Sequence, residues 1–316
     1  MSEQKRERVL VTGGCGFIGS HLIDRLIELG HEVAIMDNLC SGRIEDTHKK
    51  CEMVKMYITA DQKKMDRVFE KFRPDTVFHL AAQKDLHASM VNPVHDAEVN
   101  ILGSLHVLEA MRKTGGGRVV FASTAAVYSP NAKLPITEDR ANTDPVSPYG
   151  ISKHTAEMYM RNYSNMYPVA TISLRFSNAF GPRGCFGTPN VIDIFARKMM
   201  QGEPVIIYGS GEQTRDFVYI DDMVDAFLRA MRVAWCGEVN IATNTEVSIN
   251  QVARSMAEAF GVKLNVKYEE ARDGELFQNR LDPSLAVEAM GWRPKTSFAE
   301  GLKRTVEWYK HHHNIS

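Results

Sequence analysis

The chain has no run approaching the roughly 20 apolar residues needed to cross a bilayer, and its first eight residues are polar and charged, unlike a secretory leader. A membrane protein is therefore not expected, and a cytoplasmic location is the default. Charge of one sign is missing too: 38 Lys plus Arg stand against 39 Asp plus Glu, so no overall field would gather nucleic acid or an anionic membrane surface. The five cysteines (Cys15, Cys40, Cys51, Cys185, Cys236) form no CxxC pair and no Cys/His spacing suited to zinc, which argues against a disulfide framework or a structural metal. No metal site is expected; His311, His312 and His313 read as a solvated tail. Internal repeats, low-complexity tracts and long linkers are also lacking, so the expectation is one compact body with a cleft rather than tethered modules.

What is present is a rhythm of short β-branched runs and amphipathic helical patterns. Strands are predicted at 9–12, 32–36, 76–80, 118–122 and 170–175, with helices at 17–29, 64–71, 94–113 and 149–166. Alternation of this kind predicts an α/β fold, a Rossmann doubly wound parallel sheet. After about residue 180 the pattern loosens into Gly- and Pro-containing loops between helices at 192–201, 221–231 and 249–260. This predicts a division into residues 1–180, carrying the parallel sheet, and residues 181–316, a smaller C-terminal lobe, with some chain crossing between them.

The run Val9-Leu10-Val11-Thr12-Gly13-Gly14-Cys15-Gly16-Phe17-Ile18-Gly19 leads from an apolar strand through a glycine turn into a helix. Gly13, Gly16 and Gly19 would let the backbone turn, approach a pyrophosphate and pack the helix on the strand, while the helix start offers N–H groups to the anion. A glycine pattern alone is a weak signal; the flanking strand and helix strengthen it. Asp37 follows at the end of the second strand, where a carboxylate accepts hydrogen bonds from the 2'-hydroxyl of NAD and repels the 2'-phosphate of NADP. Asn38 adjoins it, and Arg43 nearby leaves the phosphate-bearing cofactor open, with NAD favoured.

Tyr149-Gly150-Ile151-Ser152-Lys153 sets a phenol and an ammonium on one helix face, with Pro148 where a helix begins. A neighbouring ammonium is expected to lower the Tyr149 pKa from about 10, as a base for a sugar hydroxyl requires. Upstream, Ser123 and Thr124 end an apolar strand at the sheet's C-terminal edge, where ligands of open α/β sheets bind. Each hydroxyl reads equally well as a backbone cap.

Glycine turn, strand-end Asp37, Phe78-His79-Leu80-Ala81-Ala82, Asn100, Ser123-Thr124 and Tyr149/Lys153, in this order, make the chain resemble the extended short-chain dehydrogenase/reductases, specifically the nucleotide-sugar epimerase/dehydratase family, across about residues 9–308. The resemblance implies NAD held by Gly13, Gly16, Phe17, Ile18, Gly19, Asp37, Asn38, Leu80, Ala81, Ala82, Asn100, Ser123, Tyr149 and Lys153. It implies catalysis by Tyr149 as base, Lys153 supporting it, and Ser123 and Thr124 on the sugar oxygen, with His79 as a wall rather than a base. A UDP-sugar or dTDP-sugar would meet Thr124, Asn178, Val191, Tyr208, Arg215, Arg272 and Glu275. Arg215 and Arg272 would grip the diphosphate, although an isolated Arg is more often an exposed ion-pair partner.

Within that family, dehydratases carry Asp and Glu directly after the Thr, and decarboxylases usually keep a Glu at the second place; here Ala125 and Ala126 stand there. The resemblance therefore implies epimerisation at C4 of a UDP-sugar of glucose/galactose, N-acetylhexosamine or uronic acid type, through a transient 4-keto intermediate, as in polysaccharide biosynthesis. A dehydratase or other 4-keto-forming reaction is the alternative, and a non-catalytic dinucleotide-binding protein is the alternative of another class. Ile58 falls where the family's adenine-binding Asp is expected, and Asn279 where a bulkier residue crowds the sugar's C2 substituent. Family members usually pair as homodimers through two helices, here 94–113 and 149–166, whose apolar faces fit a core role equally well.

Overall fold

A computed structural model describes residues 6–46, 51–184, 189–271 and 277–312. The elements run β1 (Arg8–Thr12), α1 (Phe17–Glu28), β2 (Glu32–Asp37), β3 (Glu52–Lys55), α2 (Gln62–Phe72), β4 (Thr76–His79), α3 (Leu86–Val91), α4 (Pro93–Ala97), α5 (Gly103–Lys113), β5 (Gly117–Thr124), α6 (Pro148–Met166) and β6 (Val169–Phe176). There follow β7 (Asn178–Phe180), α7 (Val191–Met200), β8 (Val205–Tyr208), β9 (Thr214–Arg215), β10 (Phe217–Tyr219), α8 (Ile220–Ala230), β11 (Gly237–Ile241), β12 (Val247–Ser248), α9 (Ile249–Phe260), β13 (Val266–Glu269), α10 (Ser284–Met290) and α11 (Phe298–His311).

Seven strands form one parallel sheet in the order β11-β6-β5-β4-β1-β2-β3. This is the doubly wound Rossmann arrangement, and the strand order reverses between β1 and β4, which opens a crevice at their C-terminal ends. Period-two alternation explains why helices cover both faces. Val9, Val11, Val33, Ile35, Val120 and Ile172 pack with Leu22, Ile23 and Leu26 of α1 and Phe227 of α8. Leu10, Ala34, Met36, Val77, Val119 and Phe121 face the other way, onto Met65 and Phe69 of α2, Val107 and Met111 of α5, and Ala156 and Met160 of α6.

The chain crosses between the two halves at one strand of the sheet. Gly237–Ile241, from the C-terminal half, lies beside β6 with Asn240 opposite Arg175. Over the C-terminal edge, short pairs hold the remaining segments: β10 with β7, β12 with β9, and β13 with β8. Trp292, fully buried, donates its indole N–H to the Asp222 carbonyl at 2.9 Å, and the Tyr309 hydroxyl donates to Asp193 Oδ1 at 2.8 Å, fastening the segment after α10 to α8 and α11 to α7.

One predicted helix is more elaborate than its periodicity suggests. Residues 94–113 comprise α4, a π-helical turn at Glu98–Leu102 and α5, and the wide turn carries Asn100. Ile58, at the position where the family's adenine-binding Asp is expected, faces the interior. It is a core residue, 7 % exposed, packed against Gly103, where an added Cβ would come within 2.7 Å of its Cγ2. Its side chain therefore points into the layer of α2 and α5, and its exposed neighbour is Tyr57.

Candidate active site

The glycine turn is built as a close-approach device. Gly13 has φ +70°, and a Cβ there would lie 2.6 Å from the Ala81 backbone nitrogen, so only glycine lets β1 leave the sheet against the segment after β4. The Gly13 amide donates to the Met36 carbonyl at 2.8 Å, and the Gly16 amide to the Gly13 carbonyl at 3.1 Å. Gly16 starts α1 with no side-chain cap and no acid in the first turn, so its N-terminal N–H groups face the crevice as an anion site, beside Phe17, Ile18 and Gly19.

Asp37 ends β2 beneath this turn. Its Oδ2 accepts the Cys15 amide at 2.9 Å and its Oδ1 the Leu39 amide at 2.8 Å, which fixes the buried carboxylate and leaves each oxygen a further lone pair. Asn38 Oδ1 accepts the Cys40 amide at 3.0 Å, shaping the loop that follows. An uncapped helix start, a turn that excludes every side chain and a fixed carboxylate together fit an adenine dinucleotide.

Across the crevice, Leu80, Ala81 and Ala82 are half-buried. His79 is fully enclosed: its Nδ1 meets Thr12 Oγ1 at 2.8 Å and its Nε2 meets Ser104 Oγ at 2.9 Å. Burial, then the charge of Lys153, pushes its pKa down to about 3, so it is a neutral wall. Asn100 is a staple. Its Oδ1 accepts the Gln83 amide at 3.0 Å, and its Nδ2 donates to the Gln83 carbonyl, Asp96 Oδ1 and Ser152 Oγ at 2.9, 3.1 and 3.0 Å. The loop after β4 is thereby tied to α6. Gln83, Asp96 and Ser152 were not singled out from sequence.

Ser147 caps α6 by accepting the Gly150 amide at 3.1 Å, and Pro148 occupies the first turn. A Cβ on Gly150 would meet the Ala126 carbonyl at 2.2 Å, so this glycine lets the helix start press onto the turn after β5. As a result the Thr124 hydroxyl stands near the Tyr149 phenol, where it favours the phenolate. Thr124 Oγ1 also accepts the Ala126 amide at 3.1 Å. Its neighbour Ser123, pointing the other way by strand alternation, donates instead to Glu157 Oε1 at 2.5 Å and is 4 % exposed. The two adjacent hydroxyls, grouped together in the sequence reading, thus have different partners.

Lys153, 2 % exposed, places its Nζ 4.0 Å from the centroid of the Phe121 ring. Burial lowers its pKa to about 7, opposed by the charges of Glu157 and Asp96. The expected depression of the Tyr149 pKa is not found in the protein alone. Burial pushes it up to about 12, the Thr124 hydroxyl pulls it down, and Asp96 adds to the rise. Desolvation sets the direction, while the Lys153 ammonium faces the Phe121 ring and interacts with the carboxylates of Glu157 and Asp96.

The C-terminal residues are held by local contacts of their own. Thr124 is in register with Phe176, and two residues on, the Asn178 amide donates to the Asp216 carbonyl at 2.9 Å, with Asn178 in register with Phe217. Arg215 Nη1 donates to the Thr214 carbonyl at 2.8 Å. Asn190 caps α7 and donates to the Ala179 carbonyl at 3.0 Å, tying the start of α7, where Val191 lies, to β7. Tyr208 ends β8, its carbonyl accepting from Gln213 Nε2 at 2.8 Å. Arg272 and Glu275 lie outside the described residues.

Strand order, glycine turn and strand-end acid define a dinucleotide-binding α/β protein of Rossmann type. The chain belongs to the NAD dependent epimerase/dehydratase family, whose model matches residues 9–242. It is 38 % identical over 312 residues to the UDP-glucose 4-epimerase of Mycolicibacterium smegmatis, covering 96 % of this chain and 98 % of that protein. Among solved structures it resembles the UDP-glucose 4-epimerase of Thermotoga maritima with UDP-glucose, with TM-score 0.93, 40 % identity and coverage of 97 % and 99 % of the two chains. The Thermus thermophilus UDP-glucose 4-epimerase complexed with NAD gives TM-score 0.89, 38 % identity and coverage of 96 % and 99 %.

Proposed function

We propose that this protein is an NAD-dependent epimerase acting at C4 of a UDP-sugar. The observation that carries the reading is the contact of Tyr149 with Thr124 at the C-terminal end of β5, on the same side as the glycine turn, with Lys153 one helical turn along. In this reading Thr124 holds the sugar 4-oxygen and Tyr149 takes its proton. The oxidised nicotinamide, when bound, supplies a hydride acceptor for C4 and its own positive charge. The resulting 4-keto sugar would turn over in the cleft, where C4 would take the hydride back on its other face and the oxygen would regain its proton from Tyr149, so no net oxidation would occur. Lys153 stabilises the phenolate. Asn178, Val191, Tyr208 and Arg215, with Arg272 and Glu275, take the nucleotide diphosphate and sugar, and Gly13 to Gly19, Asp37, Asn38, Leu80 to Ala82 and Asn100 shape the cofactor cleft. Ser123 serves from behind the site through Glu157.

Ala125 and Ala126 favour epimerisation over dehydration, because the turn beside the Thr124 hydroxyl offers no group to expel a C6 hydroxyl. In this reading residues 1–180 are the cofactor domain and 181–316 the nucleotide-sugar lobe, save for the strand lent to the sheet. The enzyme is a cytoplasmic homodimer in this account, supported by apolar side chains on α4 to α6 that are exposed in the single chain: Val94, Leu102, Ile151, Met158 and Met166.

Incubation with a panel of UDP- and dTDP-sugars, plain, N-acetylated and uronic, with and without NAD, and analysis of products by NMR tests the assignment. Inversion at C4 of a UDP-sugar is expected. NAD binding without turnover of any sugar would favour a non-catalytic dinucleotide-binding protein, and loss of the C6 hydroxyl a dehydratase.

A further inference from the structure

Glu157 has a side chain with no solvent exposure, and its carboxylate closes a four-way junction. Oε1 accepts from Ser123 Oγ at 2.5 Å and Arg175 Nε at 2.9 Å; Oε2 accepts from Arg175 Nη2 at 2.7 Å and His154 Nδ1 at 3.3 Å. Arg175 is itself buried and continues the chain, donating from Nη1 to the Tyr128 hydroxyl at 3.1 Å. Tyr128 donates to Asn240 Oδ1 at 2.5 Å, and Asn240 Nδ2 donates to the carbonyls of Ile136 and Asp282 at 3.0 and 3.2 Å. A polar rope therefore runs from α6 through β5, β6 and β11 to the strand-like segment at Leu281, which bridges Ile136 and follows Asn279 closely in sequence.

Stability is a poor account of such a pair. Two charges taken out of water lose hydration that their attraction barely repays, and well-packed apolar replacements are often as stable. Location offers a better one. Tyr149, Lys153 and Glu157 are spaced i, i+4, i+8 and share one face of α6. Ser123, the hydroxyl that Glu157 binds, is the residue before Thr124. One carboxylate thus anchors the helix that presents the phenol and ammonium and the strand end that presents the partner hydroxyl.

The charges around Lys153 come from several elements. Glu157, Tyr149 and His154 belong to its own helix, Asp96 to α4 and the neutral His79 to β4, while Arg175 of β6 stands behind Glu157. Phe121 of β5 offers its ring face. Glu157 and Asp96 are the groups that oppose the effect of burial on this ammonium.

We propose that Glu157, clamped by Arg175, is a positioning residue for the Tyr149/Lys153 pair, supplying counter-charge to the Lys153 ammonium and holding the Tyr149–Thr124 contact in register. The proposal rests on the reading of that pair as the proton-transfer site.

The test compares Glu157→Gln, Glu157→Asp and the double variant Glu157→Gln/Arg175→Met, each loaded with NAD, with Tyr149→Phe alongside. The Lys153 midpoint is followed by the ¹³Cε NMR shift of labelled lysine, assigned with Lys153→Met. Glu157→Gln is expected to lower that midpoint by about one pH unit, a tenfold change in its proton affinity. The alkaline limb of kcat should move down with it while KM stays within about twofold. Glu157→Asp should keep the wild-type midpoint and lose kcat alone, through its shorter reach. The double variant leaves no unpaired buried charge, so it serves as the folded comparison should the single Gln variant fail to fold, and its midpoint should move in the same direction.

An unchanged midpoint and limb in whichever of these variants folds, or the failure of both to fold, overturns the proposal and makes the pair purely structural. Full activity of Tyr149→Phe would instead sink the underlying assignment. An inactive Tyr149→Phe beside an unmoved limb in Glu157→Gln sinks only the positioning role.

Discussion

Replacing Gly150 by Ala tests how closely the base helix must approach the turn after β5. The added Cβ would stand 2.2 Å from the Ala126 carbonyl oxygen and 2.9 Å from Pro145 Cβ. The obstruction includes backbone, so no flexible side chain can swing away, and relief to an ordinary carbon–oxygen contact requires the helix start to retreat by about 1 Å. Tyr149 is the preceding residue and moves with it, away from Thr124. A misplacement of ~1 Å at a reacting group lowers a rate by roughly a hundredfold, equivalent to about 2.7 kcal/mol in the barrier. The overpacking itself should remove a further 1–3 kcal/mol or so of folding stability, too little to unfold a chain of this size. Steady-state kinetics of C4 inversion, with circular dichroism as a check on folding, reads both. A folded Gly150→Ala enzyme with kcat within twofold of wild type would refute the claim that this contact sets the geometry.

Three other outcomes follow from the same geometry. Asp37→Ala orphans the Cys15 and Leu39 amides and removes the carboxylate beneath the glycine turn, so NAD affinity should fall at least about tenfold while the preference over NADP shrinks, as read by fluorescence titration. Burial, first among the causes, lowers the folded pKa of His79 to about 3 and of His21 to about 4. The unfolded chain therefore binds more protons between pH 6.5 and these values; stability present above pH 6.5 should be lost as the pH falls, by several kcal/mol down to pH 4, which melting temperatures at pH 7, 5.5 and 4 would register. Met158→Glu, on the exposed apolar face of α6, should abolish the proposed pairing of subunits and give a monomer in sedimentation equilibrium without changing the melting of the isolated subunit by more than about 1 kcal/mol equivalent.

Much of this architecture is written locally. Val9-Leu10-Val11 alternates between two cores, and Ser147-Pro148 marks the start of α6 by capping chemistry, so strands and helices near the crevice are legible. Strands that depend on partners are not. Glu52–Lys55 is a partly exposed edge, Gly237–Ile241 gains its identity only beside β6, and pairs of two or three residues such as β9 and β12 carry no periodicity. The π-helical turn under Asn100 likewise follows from packing rather than propensity.

The site shows the same boundary. Glycines, Asp37 and the Tyr149/Lys153 pair are spaced along single elements, whereas the choice between Ser123 and Thr124 depends on strand phase, and the pKa of Tyr149 on how thoroughly the fold desolvates it. Arg175 in a strand with no other charge and Glu157 one turn after Lys153 were the overlooked signal: two opposite charges at positions that the patterns on either side declare buried.

The central claim is that the Tyr149 phenol carries the proton of the sugar hydroxyl. The most direct measurement is single-turnover conversion of a UDP-sugar by NAD-loaded Tyr149→Phe, with absorbance near 340 nm and C4 inversion by NMR followed together. The account predicts that the variant binds cofactor and sugar normally yet loses kcat by about a thousandfold or more, with no transient at 340 nm. Turnover at the wild-type rate would contradict it.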